Sequence, residues 1–285
     1  MKREGLRVET ITSRFTSRLV SLAKKAVVGH PAPSYQEGEG GYADWVMISI
    51  QGLKEWFGDP YRFLLDNLAG RPDTVAKLGL DRAELPDFST VCARFQQLKM
   101  RVWRVLLRLS TDFHDLGEYQ AIDATCIDQI SASQHFAKRT DYTFKYVKTT
   151  ALIDCTTGVF LDIDCSMKKR DDTQIGMQML RRNIENLNTI LADKGYDWDL
   201  LRQILHIEGV DTAIKHKEHG ALDVAENALI DDNIYHKRSA IESAFAALKG
   251  RYGQSLRSRT WYGQFREIVL RAAIRNIELE VRSKA

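Results

Sequence analysis

The chain has 285 residues, 44% of them hydrophobic and 28% charged, with 41 basic against 38 acidic side chains for a formal net charge of +3. That is the make-up of a soluble globular protein long enough for a full core, and two folding units are expected. No apolar run approaches about 18 residues, MKREGLRVET has no apolar signal-peptide stretch, and +3 is too small to point to nucleic acid by itself.

The first 50 residues open with a helical stretch, SRFTSRLVSLAKKAVVG, followed by the Pro/Gly-rich loop HPAPSYQEGEGG. Helical patterns resume in WVMISIQGLKEWF, in YRFLLDNLAG after Pro60, and in RPDTVAKLGL, which Pro72 opens and Gly79 stops. LPDFSTVCARFQQLKMRVWRVLLRLS reads as one long helix with Ser89 as its N-cap. Val91, Phe95, Leu98, Val102, Val105 and Leu109 would form its buried stripe. Arg94, Gln97, Arg101, Arg104 and Arg108 form a second stripe, which fits either a solvated face or a DNA-backbone contact.

After Gly117 the pattern changes. EYQAIDATCI is a short run rich in strand formers, and KYVKTTALIDC and VFLDIDCSM are two strands joined by a turn at Thr157-Gly158. DTQIGMQMLRRNIENL is helical, capped by Asp171 or Asp172. NTILADKGYD holds a buried-type strand ending at Asp193, DWDLLRQILHIEG is a helix, VDTAIKHK a strand, and a last helix follows. The order β-β-β-α-β-α-β-α implies a mixed sheet with helices on both faces. Cys92, Cys126, Cys155 and Cys165 show no close pairing, so reduced thiols packed in a core and a cytoplasmic protein are expected.

Asp123 sits mid-strand, where an unpaired buried carboxylate costs several kcal/mol, so it needs a partner. Alternation puts Asp123, Thr125 and Ile127 on one face. Asp193 ends its strand, where open α/β sheets bind ligands. Were the two strands parallel neighbours, these carboxylates would converge, and a helix across that edge would add Glu242. Three such groups need cations, and hard oxygen ligands favour Mg²⁺ or Mn²⁺. Two such ions suit phosphodiester chemistry.

YHKRSAIESAFAALKGRYG supplies the helix. At about 100° per residue, Tyr235, Arg238, Glu242 and Lys249 share a stripe about 60° wide. From Tyr235 onward eleven bases face four acids, and Tyr252, Trp261 and Tyr262 are interleaved with them, which suits DNA. Lys168, Lys169 and Arg170 fit phosphate contact and a solvated turn equally, and His206, His216, His219 and His236 make no recognisable zinc spacing.

Tyr235, Arg238, Glu242 and Lys249 match Y-x2-R-x3-E-x6-K, and with AIDATCI and TILADKGYD the chain resembles the DDE transposases of bacterial and archaeal insertion sequences. The resemblance runs from Gly117 to about Gly253, and LPDFSTVCARF resembles the region ahead of the catalytic domain. It implies a ribonuclease-H-like domain over 117–285 with a basic helical C-terminus, preceded by a helical DNA-end-binding region over 1–116. Asp123, Asp193 and Glu242 would be the metal ligands for two Mg²⁺ or Mn²⁺ ions, Asp123 bridging both. Tyr235, Arg238 and Lys249 would hold the transposon-end strand, with Arg251 beside them and Arg94, Arg101 and Arg108 as further DNA contacts. Water would cut the element's end and the freed 3′-hydroxyl would attack target DNA. Double-stranded DNA, terminal repeats and target alike, is the implied partner, bound by a homodimer in the cytoplasm at the nucleoid. Forty-eight residues separate Asp193 from Glu242, too few for the β-rich insertion of some relatives. A decayed transposase acting as a DNA-binding repressor and a plain metal-dependent nuclease are the alternatives.

Overall fold

The computed structural model describes residues 9–27, 29, 32–33, 41–129, 146–167 and 172–283. They fall into two compact units, residues 1–113 with 273–285, and residues 114–272. The first unit is helical: α1 (Ile11–Ala26), α2 (Asp44–Phe57), α3 (Tyr61–Ala69), α4 (Pro72–Lys77), α5 (Phe88–Gln97) and α6 (Met100–Thr111). Thr10 caps α1 by accepting from the Ser13 N–H at 3.1 Å. Helix α2 is buried over most of its length, and Gly52 is needed there because a Cβ would lie 2.6 Å from Leu19.

The long helix expected over 85–110 is two helices. Leu98 and Lys99 adopt extended backbone (ψ 129° and 145°), and Asp87 rather than Ser89 caps α5. The break turns the buried face. In α5 it carries Val91 and Phe95 as expected, but in α6 it carries Trp103, Leu106, Leu107 and Ser110 in place of Val102, Val105 and Leu109. The single arginine stripe is broken with it. Neither Pro nor Gly marks the break, so packing of the bulky Trp103, wholly buried, prevails over local helix propensity.

The second unit contains a mixed five-stranded sheet among the described residues, in the order β3-β2-β1-β4-β5. Its strands are β1 (Tyr119–Asp128), β2 (Tyr146–Asp154), β3 (Phe160–Ser166), β4 (Thr189–Ala192) and β5 (Asp211–Ile214). β1, β2 and β3 run antiparallel in sequence, and β4 and β5 lie parallel to β1. The helices are α7 (Asp172–Arg182), α8 (Asp199–Ile207), α9 (Ala221–Leu229), α10 (Asp232–His236), α11 (Ser239–Tyr252) and α12 (Trp261–Ser283), the last of which belongs to the first unit from Ala273 onward.

Ile122, Leu152, Leu161, Ile190 and Ala192 point from one face of the sheet into a core with Met179, Leu180, Leu201 and Leu205 from α7 and α8. Side chains alternate, so Asp123 leaves by the opposite face. That face is covered by α11, whose Phe245 ring lies 6.4 Å from Phe160 of β3. Helices on both faces are what the chain order implies. Helix α9 was not anticipated; Leu222, Ala225 and Leu229 recur at helical spacing along it, yet none of its side chains is buried.

One expectation fails on burial. The four cysteines are free, but Cys92 and Cys126 are exposed and only Cys165 is buried. Helix α12 is in large part internal, although of the described bases from Tyr235 onward only Arg271 is buried. Arg271, 2% exposed, pairs with Glu267 at 2.6 Å, while Arg275 and Arg282 pair with Glu278 at 3.5 and 2.7 Å. Ile268, Val269, Ile277 and Val281 make α12 a core helix, so arginine carried along it serves buried carboxylates before it serves a ligand.

Candidate active site

The parallel pairing of β1 with β4 has an offset of 70: Tyr119 opposes Thr189 and Ala121 opposes Leu191. The pairing ends at Ala121 and Leu191; extended two residues, just beyond β4, the same register would bring Asp193 opposite Asp123. Asp193 keeps extended backbone (φ −80°, ψ 176°), so its side chain stays in phase with the strand. One of its oxygens accepts from the Gly195 N–H at 2.7 Å and caps the short turn Lys194–Tyr196. A Cβ on residue 195 would come within 2.8 Å of that oxygen, which explains the glycine in ADKGYD.

Asp123 is partly buried, its side chain 22% exposed. Oδ1 accepts from the Ala124 N–H at 2.7 Å, and Oδ2 lies 3.4 Å from Arg238 Nη1. Burial is the largest influence and raises its carboxyl above the usual aspartate range; the charges of Asp193 and Glu242 push the same way, against the Ala124 N–H and Arg238. Both charges therefore act on Asp123, although the three carboxylates are not among the described groups whose ligand atoms all lie within 4.8 Å of one another. Glu242 stands in the first turn of α11, 62% exposed, where the helix N-terminus favours negative charge.

A raised carboxyl has a consequence for stability. The folded state binds the Asp123 proton more tightly than the unfolded chain, so stability falls as pH rises from the unfolded value through the folded one. Above that window the full penalty applies. Asp123→Asn is therefore expected to melt higher than the parent at pH 7, and the advantage should vanish at pH near 3; a lower melting temperature at pH 7 would contradict this account of Asp123.

The signature residues do not lie on one uninterrupted helix. Tyr235 belongs to α10, and Lys237 and Arg238 form a tight turn before α11, with i→i−3 bonds from Arg238 to Tyr235 and from Ile241 to Arg238. The stripe survives because the turn keeps right-handed helical dihedrals at Arg238 (φ −52°, ψ −32°). Lys215 Nζ sits 4.5 Å from the centre of the Tyr235 ring and Arg238 Cζ 5.9 Å from it. Lys249 donates to Thr125 Oγ1 at 2.7 Å, so its ammonium is held on β1 two residues beyond Asp123. Arg251 stacks near Tyr252 at 5.4 Å.

Of the helical-unit arginines, Arg94 is ion-paired with Asp44 and reaches the Tyr42 carbonyl at 3.5 Å, whereas Arg101 and Arg108 are exposed on α6. Lys168, Lys169 and Arg170 lie outside the described residues.

Two features had no sequence signal. Tyr196 is 1% exposed and its hydroxyl has no hydrogen-bond partner among the described residues; burial, followed by the charges of Asp172, Asp123 and Asp193, raises its pKa. The other is His216, whose ring nitrogens lie 3.4 Å from Asp197 and 3.3 Å from Glu226. Asp197, Asp199 and His216 bring ligand atoms within 4.8 Å of one another, but Arg202 already stands 2.6 Å from Asp197 and 3.4 Å from Asp199, and the Lys217 N–H occupies the second Asp197 oxygen at 2.7 Å. Arg202 and the Lys217 N–H thus already occupy that group, which links the β4–α8 connection to the end of β5.

Residues 117–277 match the family model described as the transposase DDE domain. No curated protein matches the chain. Among solved structures the chain is similar to a piggyBac transposase in a synaptic complex with hairpin DNA, with a TM-score of 0.50 and 10% identity, over 99% of this chain and 78% of that one. At that identity the likeness speaks for the fold, a mixed sheet flanked by helices. The family model spans more than half of the chain and brackets Asp123, Asp193 and Glu242 alike, and on that match the protein belongs to the family of transposases that carry a DDE domain.

Proposed function

We propose that this chain is an insertion-sequence transposase that cuts at the ends of its element and joins the freed 3′-ends to target DNA, with Asp123, Asp193 and Glu242 as the catalytic carboxylates. What supports the reading is the parallel pairing of β1 with β4, which, carried past the end of β4, would bring Asp193 opposite Asp123, and the charges of Asp193 and Glu242 acting on Asp123. Three carboxylates without thiolate or imidazole suit hard divalent ions, and the mutual repulsion at Asp123 is what a cation relieves. Two Mg²⁺ or Mn²⁺ ions held there would supply an activated water and charge stabilisation at phosphorus. Asp123, with an acidic neighbour on either side, is suited to be the ligand shared by both.

The remaining residues bind and orient. Tyr235 and Arg238 present a ring and a guanidinium beside the carboxylates, and Lys249 lies about 10 Å along α11 from Glu242, in reach of phosphates beyond the reacting one. Arg251 lies about 180° around α11 from Glu242 and would meet DNA apart from that line, and exposed Arg101 and Arg108 offer backbone contacts in the helical region, which would recognise the terminal repeats. No helix of the described residues is long and apolar enough to cross a membrane. A homodimer would hold the two ends together on nucleoid DNA.

The test is a strand-transfer assay with oligonucleotides bearing the element's terminal repeats. Mg²⁺-dependent joining of a 3′-end to target DNA is the expected product. Cutting without joining would make the protein a nuclease, and binding without nicking a repressor.

A further inference from the structure

Arg238 reaches both ends of the acidic group with one guanidinium. Nη1 is 3.4 Å from Asp123 Oδ2, and Nη2 is 3.2 Å from Glu242 Oε1. The carboxylates come from different elements, β1 and α11, so this fork is the direct link between the strand and the glutamate that must meet it. Its distances exceed the roughly 2.7–2.9 Å of a tight charge-assisted bond, so the attraction is largely Coulombic and carries little directional commitment. Lys249, by contrast, is held on the neutral Thr125 hydroxyl at 2.7 Å.

A guanidinium and a divalent ion cannot share those oxygens. Mg²⁺ draws its ligands to about 2.0–2.1 Å, inside the gap the fork spans, and the two cations repel. We propose that Arg238 is a placeholder cation: it keeps Asp123 and Glu242 facing each other, yields them to the incoming divalent ion, and then turns its fork to DNA phosphate. This rests on the reading of Asp123 and Glu242 as metal ligands. Arginine suits the position because its planar fork spans two carboxylates and matches phosphate equally well. The 22% exposure of its side chain leaves room for the movement.

Mn²⁺ binding to the full chain without DNA, measured by electron paramagnetic resonance of the free ion, tests the proposal. Removing a positive charge a few ångströms from the ion should tighten binding, so Arg238→Gln is expected to bind Mn²⁺ about tenfold more tightly than the parent at low salt. Arg238→Lys, which keeps the charge but loses the fork, should fall between the two. A residue that merely props up the fold would lower affinity on removal. Unchanged or weaker binding by both Arg238 variants, while Asp123→Asn loses Mn²⁺, overturns the placeholder and leaves the metal site standing. Parent-like Mn²⁺ binding by both Asp123→Asn and Glu242→Gln overturns the metal site and the placeholder with it.

Discussion

Asp123→Asn is expected to reduce DNA cleavage and strand transfer by a thousandfold or more, both reactions together, with DNA affinity kept within about threefold. The size follows from what metal ions contribute to phosphoryl transfer: several kcal/mol of charge stabilisation, at about 1.4 kcal/mol for each factor of ten. Asparagine keeps the shape and one carbonyl oxygen but surrenders the charge that makes the position a ligand shared between ions. Glu242→Gln should fail in parallel, since it removes a carboxylate of the same group while leaving α11 and its bases in place. The loss cannot be assigned to unfolding, because the same variant is expected to be more stable at neutral pH. Cleavage and joining within tenfold of the parent for both variants would remove these carboxylates from the chemistry. Loss of joining with cleavage intact would mean that the two steps do not share one site.

Asp154→Ala is expected to cost about 3–5 kcal/mol, the largest effect on stability anticipated from a single side chain outside the hydrophobic core. Asp154 is wholly buried at the end of β2. One oxygen accepts from the Thr156 N–H at 3.1 Å, the Thr157 N–H at 2.7 Å and the Thr157 hydroxyl at 2.7 Å; the other accepts from the Gly117 N–H at 2.7 Å. It thus closes the β2–β3 turn, where Gly158 takes φ 69°, and ties that turn to the residue leading into β1. The approach is so close that a Cβ at Gly117 would lie 2.0 Å from Thr156 Oγ1. Alanine would deprive three backbone N–H groups of their acceptor in a turn where Gly117 and Thr157 are half-buried and Thr156 is exposed. Urea unfolding followed by circular dichroism should show the midpoint fall at unchanged slope, and heat should unfold the variant roughly 6–20 °C earlier. A cost under 1 kcal/mol would mean that water replaces the carboxylate and the turn is not held by Asp154.

The elements of the sheet were legible because short runs rich in strand formers between turn signals are a strong local cue. AIDATCI, TTALID and FLDIDC are such runs, and each lies within a residue or two of its expected span although its burial does not alternate. Asp123 stood out as a carboxylate in the middle of such a run. Asp193 and Gly195 were legible as a strand end and a turn. The break at Leu98–Lys99 was not legible, because both residues are good enough helix formers and only packing around Trp103 separates α5 from α6. Helix α9 was missed although Leu222, Ala225 and Leu229 recur at helical spacing in it; that apolar face is exposed and meets no core.

Ion-pair choice lies wholly on the other side. Arg94 turned to Asp44, Arg271 to Glu267 and His216 to Asp197 and Glu226, and no spacing in the chain announces the distant partners among these. The sequence by itself determined the succession of elements and the residue types able to hold hard cations, since backbone geometry imposes its periods on every short window of chain. Only the tertiary structure decided that β4 pairs with β1 at an offset of 70, that Arg238 spans Asp123 and Glu242, and that Lys249 rests on Thr125. Those outcomes depend on Coulomb and desolvation energies between groups more than a hundred residues apart in several cases, which take their values once packing has set the distances.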